Sequence, residues 1–272
     1  MWECKVYKIC PFKEAKICGH GKYPLIRSYH EDSSKGEKPE CYVAHTLLTY
    51  KHLMDIVQRY INVITKRFLV LDPITLTRED ISSLKKAVES SLIFSIVHHD
   101  IGKLTENYQH YKKNKYIKWI RHEIISAYII YHSLMNHFLN KIEESLSFFV
   151  EPMVNVFTAA VYLHHEAFWL WKGYLELRVP TLDYFLSVLH NLDVVFLDNA
   201  DKIIRALGEY LKIEIPAVTY NRISGNEIAY TLGSVFNYLD GSPNSVVFRA
   251  IVSSILHPLI ISDNMASEEG RS

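Results

Sequence analysis

Cysteine is scarce and confined. The four cysteines, Cys4, Cys10, Cys18 and Cys41, all lie in the first segment, so no disulfide framework staples the body of the chain. They form no paired CxxC spacing, which favours ordinary buried thiols over a zinc site completed by His20. Charge of one sign is not in excess either. Lys+Arg and Asp+Glu are both 30, which argues against a globally basic nucleic-acid binder while leaving room for a local basic patch. No apolar run reads as long enough to cross a membrane, and Met1-Trp2-Glu3-Cys4-Lys5 has no signal-peptide character. The expectation is a cytoplasmic protein with no membrane partner. No G-x-x-x-x-G-K-[ST] loop occurs, so no ATP-driven motor is encoded in this sequence. Alternating strand patterns are rare, Lys212-Ile213-Glu214-Ile215 being the one tidy case, and no internal repeat is visible.

What the chain does have is enough apolar material for a large core, 49% of 272 residues, arranged with helical spacing. From Val43 onward Leu47, Tyr50, Met54, Val57, Ile61 and Ile64 recur at alternating three- and four-residue steps. Further helices are expected over Asp80–His98, Arg121–Asn140, Pro152–His165, Leu182–Lys212, Glu227–Leu239 and Ser245–Met265, the last kinked near Pro258. The architecture predicted is an all-α helical bundle over residues 41–272, with a less regular N-terminal extension, residues 1–40, packed on it.

Fourteen histidines are placed unevenly. Val97-His98-His99-Asp100-Ile101-Gly102-Lys103 ends the apolar run that starts at Leu92. Burying a charged aspartate beside two imidazoles costs several kcal/mol unless the charge is compensated, and a divalent cation is the usual compensation. His45 opens the first helix, His122 the third, and His164-His165 close the fourth. Asp263 sits on an otherwise apolar stretch near the end. A lone histidine on an apolar helix face is more often a core residue than a ligand. Two His pairs, each at the polar end of an apolar run, fit that reading less well. If these helix ends converge, they could hold one or two metals, with Asp100 bridging, and hydrolyse a phosphate ester.

The order His45, His99-Asp100, His122, His164-His165, Asp263 resembles the HD superfamily of metal-dependent phosphohydrolases. More specifically it is similar to the stand-alone HD nuclease of type I CRISPR interference, over roughly residues 43 to 268. The run His99-Asp100-Ile101-Gly102-Lys103, followed by Tyr108-Gln109, carries that likeness, with Tyr108 where the family has Phe. The resemblance implies an HD-domain fold and a first ion held by His45, His99, Asp100 and Asp263. It implies a second ion held by Asp100, His122, His164 and His165, and Lys103 stabilising charge at the scissile phosphate. The ions would be magnesium, manganese or another transition metal. Asp198, Asp201 and Asp193 are rivals to Asp263 as the last carboxylate. With Asp263 in that role, an insertion is expected around residues 205–230. His98 and His52 read as structural or supporting.

Between the HD motif and His122 basic and aromatic residues interleave. Tyr111, Lys112, Lys113, Lys115 and Trp119 are the candidates for following a phosphate backbone and stacking bases. Phe168-Trp169-Leu170-Trp171 is a second aromatic stretch. The function expected is metal-dependent endo- or exonucleolytic cleavage of single-stranded DNA, RNA or R-loops in antiviral defence. A separate helicase subunit and a guide-RNA surveillance complex are the implied partners. The competing readings are an HD phosphohydrolase of small or cyclic nucleotides and a non-enzymatic interaction domain.

Overall fold

Thr77 starts the second long helix in the way its side chain allows. Its hydroxyl caps the Asp80 amide, and the Asp80 carboxylate returns a bond to the Thr77 amide, a reciprocal capping box that satisfies two otherwise orphaned donors. The computed structural model describes residues 6–12, 27–29, 40–71, 76–110, 118–141, 144–165, 180–214 and 222–271. In chain order these form β1 (Arg27–Tyr29), β2 (Glu40–Cys41), α1 (Tyr42–Phe68), α2 (Arg78–Val97), α3 (Glu106–Gln109), α4 (His122–Lys141), α5 (Ser147–Leu163), α6 (Leu182–Leu189), β3 (Asp193–Val195), α7 (Ala200–Leu211), β4 (Arg222–Ser224), α8 (Gly225–Gly241) and α9 (Ser245–Arg271). A 3-10 turn, Ile101–Leu104, links α2 to α3. The fold is all-α, as expected. Among the described residues its β structure amounts to two antiparallel pairs, β1–β2 and β3–β4.

The principal helix contacts are α1 on α9, α4 on α5, α1 on α2 and α6 on α8. Their apolar faces close into one core that includes Leu53, Ile61, Phe68, Leu92, Phe149, Phe157, Phe185, Ile228 and Ile255. Burying side chains of this size is the main stabilising term, about 1.5–3 kcal/mol each. The described part of the N-terminal segment joins the same core through Val6, Cys10 and Phe12. Cys10 and Cys41 are buried; Cys4, Cys18 and His20 lie outside the described residues.

Several helix expectations need correction. On α1 the buried stripe runs through Leu53, Val57, Ile61, Ile64 and Phe68, and Met54 is 41% exposed. Leu182–Lys212 is not one helix. The chain leaves α6 through Asn191 at φ 57°, forms β3 and re-enters helix at Ala200. β3 pairs with β4, a partner about thirty residues away that helical periodicity cannot reveal. Ile213 and Glu214 are not strand. Lys212 turns into the left-handed region at φ 55°, and the Ile213 amide closes back on the Gly208 carbonyl, ending α7. Helix α9 runs on past the expected end at Met265 to Arg271, with Pro258 inside it, and Ser262 bonds the Pro258 carbonyl. Two stretches, Glu144–Leu163 and Ser245–Arg271, are in fact long and apolar enough to cross a membrane by composition. Their most apolar windows are 72% and 50% buried against the other helices, as core helices are.

Candidate metal centre

Two histidines are set by the same local device. A helix leaves its last carbonyls without intrahelical partners. Just past the end of α2, His99 turns its ring back so that Nδ1–H donates to the Ile96 carbonyl at 2.7 Å. At the end of α5, His164 does the same to the Val161 carbonyl at 2.6 Å. A carbonyl can only accept, so Nδ1 carries the proton and the Nε2 lone pair points away from the helix. Each ring thereby caps a helix and aims a ligand atom at the same place.

Gly102 brings the next element in. A Cβ at this position would sit 2.2 Å from the His122 carbonyl oxygen, so only glycine lets the 3-10 turn lie against the start of α4. The Gly102 amide bonds Ser126 Oγ at 2.9 Å, and Thr105 and Gln109 hold the Gly102 and Lys103 carbonyls. His122 Nε2 consequently lies 2.9 Å from Asp100 Oδ1, with the Tyr108 ring edge-on to its imidazole.

The remaining members arrive from the two ends of the domain. His45, in the first turns of α1, places Nε2 3.2 Å from Asp100 Oδ2 and 3.0 Å from Asp263 Oδ1. Asp263, on α9, also lies 3.5 Å from His99 Nε2. His165 meets His122 with the two Nε2 atoms 3.1 Å apart. The seven side chains form two groups whose ligand atoms lie within 4.8 Å of one another: His45, His99, Asp100 and Asp263, and Asp100, His122, His164 and His165. Asp100 belongs to both.

In the cluster, desolvation and the mutual charges of its members oppose one another. Burial alone would raise the Asp100 carboxyl, but His99, Lys103 and His122 hold it well below the usual carboxylate range. Asp263 is held down in the same way by His45 and His99. Burial opposes a charge on His45, yet Asp100, Asp263 and Glu40 hold its pKa well above the ordinary imidazole value. His164 is depressed by burial and by His165 and His99, and His165 is pushed to about 4 by desolvation and by His122. Lys103 stays charged, its Nζ 2.5 Å from Asp100 Oδ2.

These residues fit a metal by a test internal to the structure. The Nε2 atoms of His99 and His164 are buried and make no hydrogen bond, and His45 Nε2 and Asp100 Oδ1 are buried and meet only other members of the cluster. Leaving such groups unsatisfied costs about 1–3 kcal/mol apiece, whereas together they are the donor set of a divalent ion.

Other anticipated residues fall elsewhere. Asp198 is exposed, Asp201 pairs with Arg205 at 2.7 Å and Asp193 pairs with Arg222; none belongs to either group. His98 is in neither group, is pushed to about 4 by burial, and donates from Nε2 to the Glu214 carbonyl. His52 bonds Glu269. Trp119 is 52% exposed. Tyr111, Lys112, Lys113, Lys115 and the Phe168–Trp171 stretch lie outside the described residues. Two carboxylates escaped the sequence reading. Glu40 lies behind His45, and Glu123 behind His122 with Oε2 3.4 Å from Nδ1. Glu123 was findable as the acidic neighbour of His122 in the first turn of α4; Glu40 had no such signal. A cleft of about 520 Å³ between α2, α4 and Lys212–Glu214 is lined by none of the cluster residues.

A helical bundle whose helix ends carry a His-Asp dipeptide, four further histidines and a late aspartate defines the HD class of hydrolases. The family model for the Cas3 HD domain matches residues 33–173, and the chain belongs to that family, the CRISPR-associated HD nucleases. The chain is 28% identical over 234 residues to the CRISPR-associated endonuclease Cas3-HD of Methanocaldococcus jannaschii, covering 85% of this chain and 87% of that one. It is 25% identical over 197 residues to the protein of the same name from Pyrococcus furiosus, covering 71% and 74%. The solved CRISPR-associated Cas3 HD domain protein from Methanocaldococcus jannaschii superposes with a TM-score of 0.54 at 24% identity, over 80% of this chain and 94% of that one, a likeness of fold.

Proposed function

We propose that the protein is a metal-dependent endonuclease that cuts single-stranded DNA, including the displaced strand of an R-loop, in the cytoplasm. The observation that carries this reading is the pair of ligand groups sharing Asp100. One ion would be held by His45, His99, Asp100 and Asp263, and a second by Asp100, His122, His164 and His165. When bound, such ions supply Lewis-acid activation of water and neutralisation of phosphate charge. Imidazole-rich donor sets favour transition metals, with manganese the first to test. Asp100 stays ionised despite its burial and can offer one oxygen to each side. Lys103, charged at the same carboxylate, is the cation available to offset charge on a phosphate oxygen. Lys112, Lys113, Lys115, Tyr111 and Trp119, which precede His122 in the sequence, are assigned to the nucleic-acid strand. With no ATP-binding loop in this sequence, unwinding falls to a helicase subunit recruited with a guide-RNA complex.

The test is cleavage of labelled single-stranded DNA, RNA and a nucleotide panel with manganese, comparing wild type with Asp100→Ala. The expected result is internal cutting of single-stranded DNA by wild type alone. Hydrolysis confined to nucleotides would move the protein to the small-molecule phosphohydrolases. Joint replacement of Lys112, Lys113 and Lys115 should weaken DNA binding and flatten its salt dependence; an unchanged salt slope would remove those lysines from the interface.

A further inference from the structure

The ligand histidines do not all solve the same problem in the same way. His99 and His164 follow helix ends, where carbonyls three residues back are free to accept their Nδ1–H. His45 lies at the start of α1, where no helix end is available to it. The nearby Tyr42 carbonyl is taken up by Thr46 Oγ1. The partner for His45 comes instead from chain that precedes the helix. Glu40 Oε1 lies 2.9 Å from His45 Nδ1, and Glu40 is only 2% exposed.

Glu40 is held there from two directions. It belongs to β2, whose pairing with β1 sets Tyr29 opposite Glu40 and Arg27 opposite Cys41. From the far end of the chain, Gly270 of α9 leaves the space its carboxylate occupies. A Cβ at 270 would come 2.6 Å from Glu40 Oε1. The other face of His45 is committed to Asp100 and Asp263.

We infer that Glu40 is a positioning residue for the metal site that contains His45: a buried carboxylate that fixes the imidazole tautomer and aims Nε2 at the ion. The inference rests on the metal-binding reading above. It makes the segment before α1 part of the site, so a division of the chain at residue 41 separates His45 from the group that orients it. A carboxylate behind a ligand imidazole also raises its basicity beyond what a carbonyl achieves, and loss of such partners costs roughly 10- to 100-fold in metal affinity.

The experiment is calorimetric titration of the metal-free full chain with Mn²⁺, for wild type, Glu40→Ala, Glu40→Gln and Gly270→Ala, with circular dichroism melts of each metal-free protein. Wild type should bind in two steps. Glu40→Ala should weaken one step by roughly 10- to 100-fold and leave the other unchanged. Glu40→Gln, which keeps an acceptor without the charge, should recover part of the loss. Gly270→Ala should weaken the same step with Glu40 still present, and it reports on the arrangement even if Glu40→Ala melts early. Two wild-type binding steps in folded Glu40→Ala or in Gly270→Ala would overturn the inference. A wild type that binds no Mn²⁺ would instead overturn the metal reading on which it rests.

Discussion

The two halves of the cluster are built from different chemistry and different parts of the chain. The His45 half draws on α1 and α9, nearly the full length of the domain apart, and contains two carboxylates, Asp100 and Asp263, with Glu40 behind His45. The His122 half is drawn from one stretch of sequence and has three imidazoles to one carboxylate, and its outermost member, His165, is exposed. Harder oxygen donors and a closed setting on one side, softer nitrogen donors and a solvent edge on the other, imply two sites of unequal affinity and selectivity.

The largest expected effect erases the comparison altogether. Asp100→Ala removes the one ligand common to both halves, so Mn²⁺ titration should show no tight step and DNA cleavage should fall by more than the 10- to 100-fold typical of losing a supporting partner. Next, Gly102→Ala should act on the His122 half alone. Its new Cβ collides with the His122 carbonyl, and such overpacking costs about 1–3 kcal/mol. A denaturant melt should register the loss, and the weaker of the two Mn²⁺ steps should weaken further. A melt identical to wild type would mean that the turn and α4 are not in register as described.

Asp263→Asn should spare that half and remove one ion from the other, read as a change in stoichiometry from two to one. Asp198→Asn and Asp201→Asn, at exposed positions, should bind as wild type does. If Asp198→Asn loses the ion instead, the carboxylate closing the His45 half has been misassigned.

The smallest effect is a proton count. The carboxylates of Asp100, Asp263 and Glu40 favour the charged form of His45 in the metal-free protein, whereas burial and neighbouring imidazoles favour the neutral forms of His164 and His165. Binding at the His45 half should therefore release a proton from His45, and His164 and His165 should contribute none at neutral pH. Titrations in buffers of different ionisation enthalpy measure this directly. The same shifts set stability with the ion removed. The His45 contribution is complete below pH ~6.5 and is lost as pH rises through its elevated pKa, while the Asp100 and Asp263 contributions are present above pH ~4 and are lost as pH falls through theirs.

Much of this could be read from the residues because the physics is local. The apolar period of α1 from Leu47 to Ile64 and the apolar run from Leu92 to Val97 that ends at the HD motif are contained within a few turns. The HD motif, the second His pair and the late aspartate were visible as residue types out of place in apolar surroundings. Leu182–Lys212 misled because α6 and α7 share a helical period, while the interruption between them is held by β4, which lies beyond the helix it interrupts. Glu40 gave no signal because its acceptor role exists only once β2 and the end of α9 are packed around it.

The sequence by itself determined most of the helices, since propensity and burial preference are properties of short segments, and the order of its histidines and aspartates carried the resemblance that named the cluster. Tertiary structure alone decided that Asp263 and not Asp198 faces His45, and that Glu40 orients that histidine. Both depend on α1 lying against α9, a contact between the ends of the domain that local spacing does not encode and that the shared core enforces.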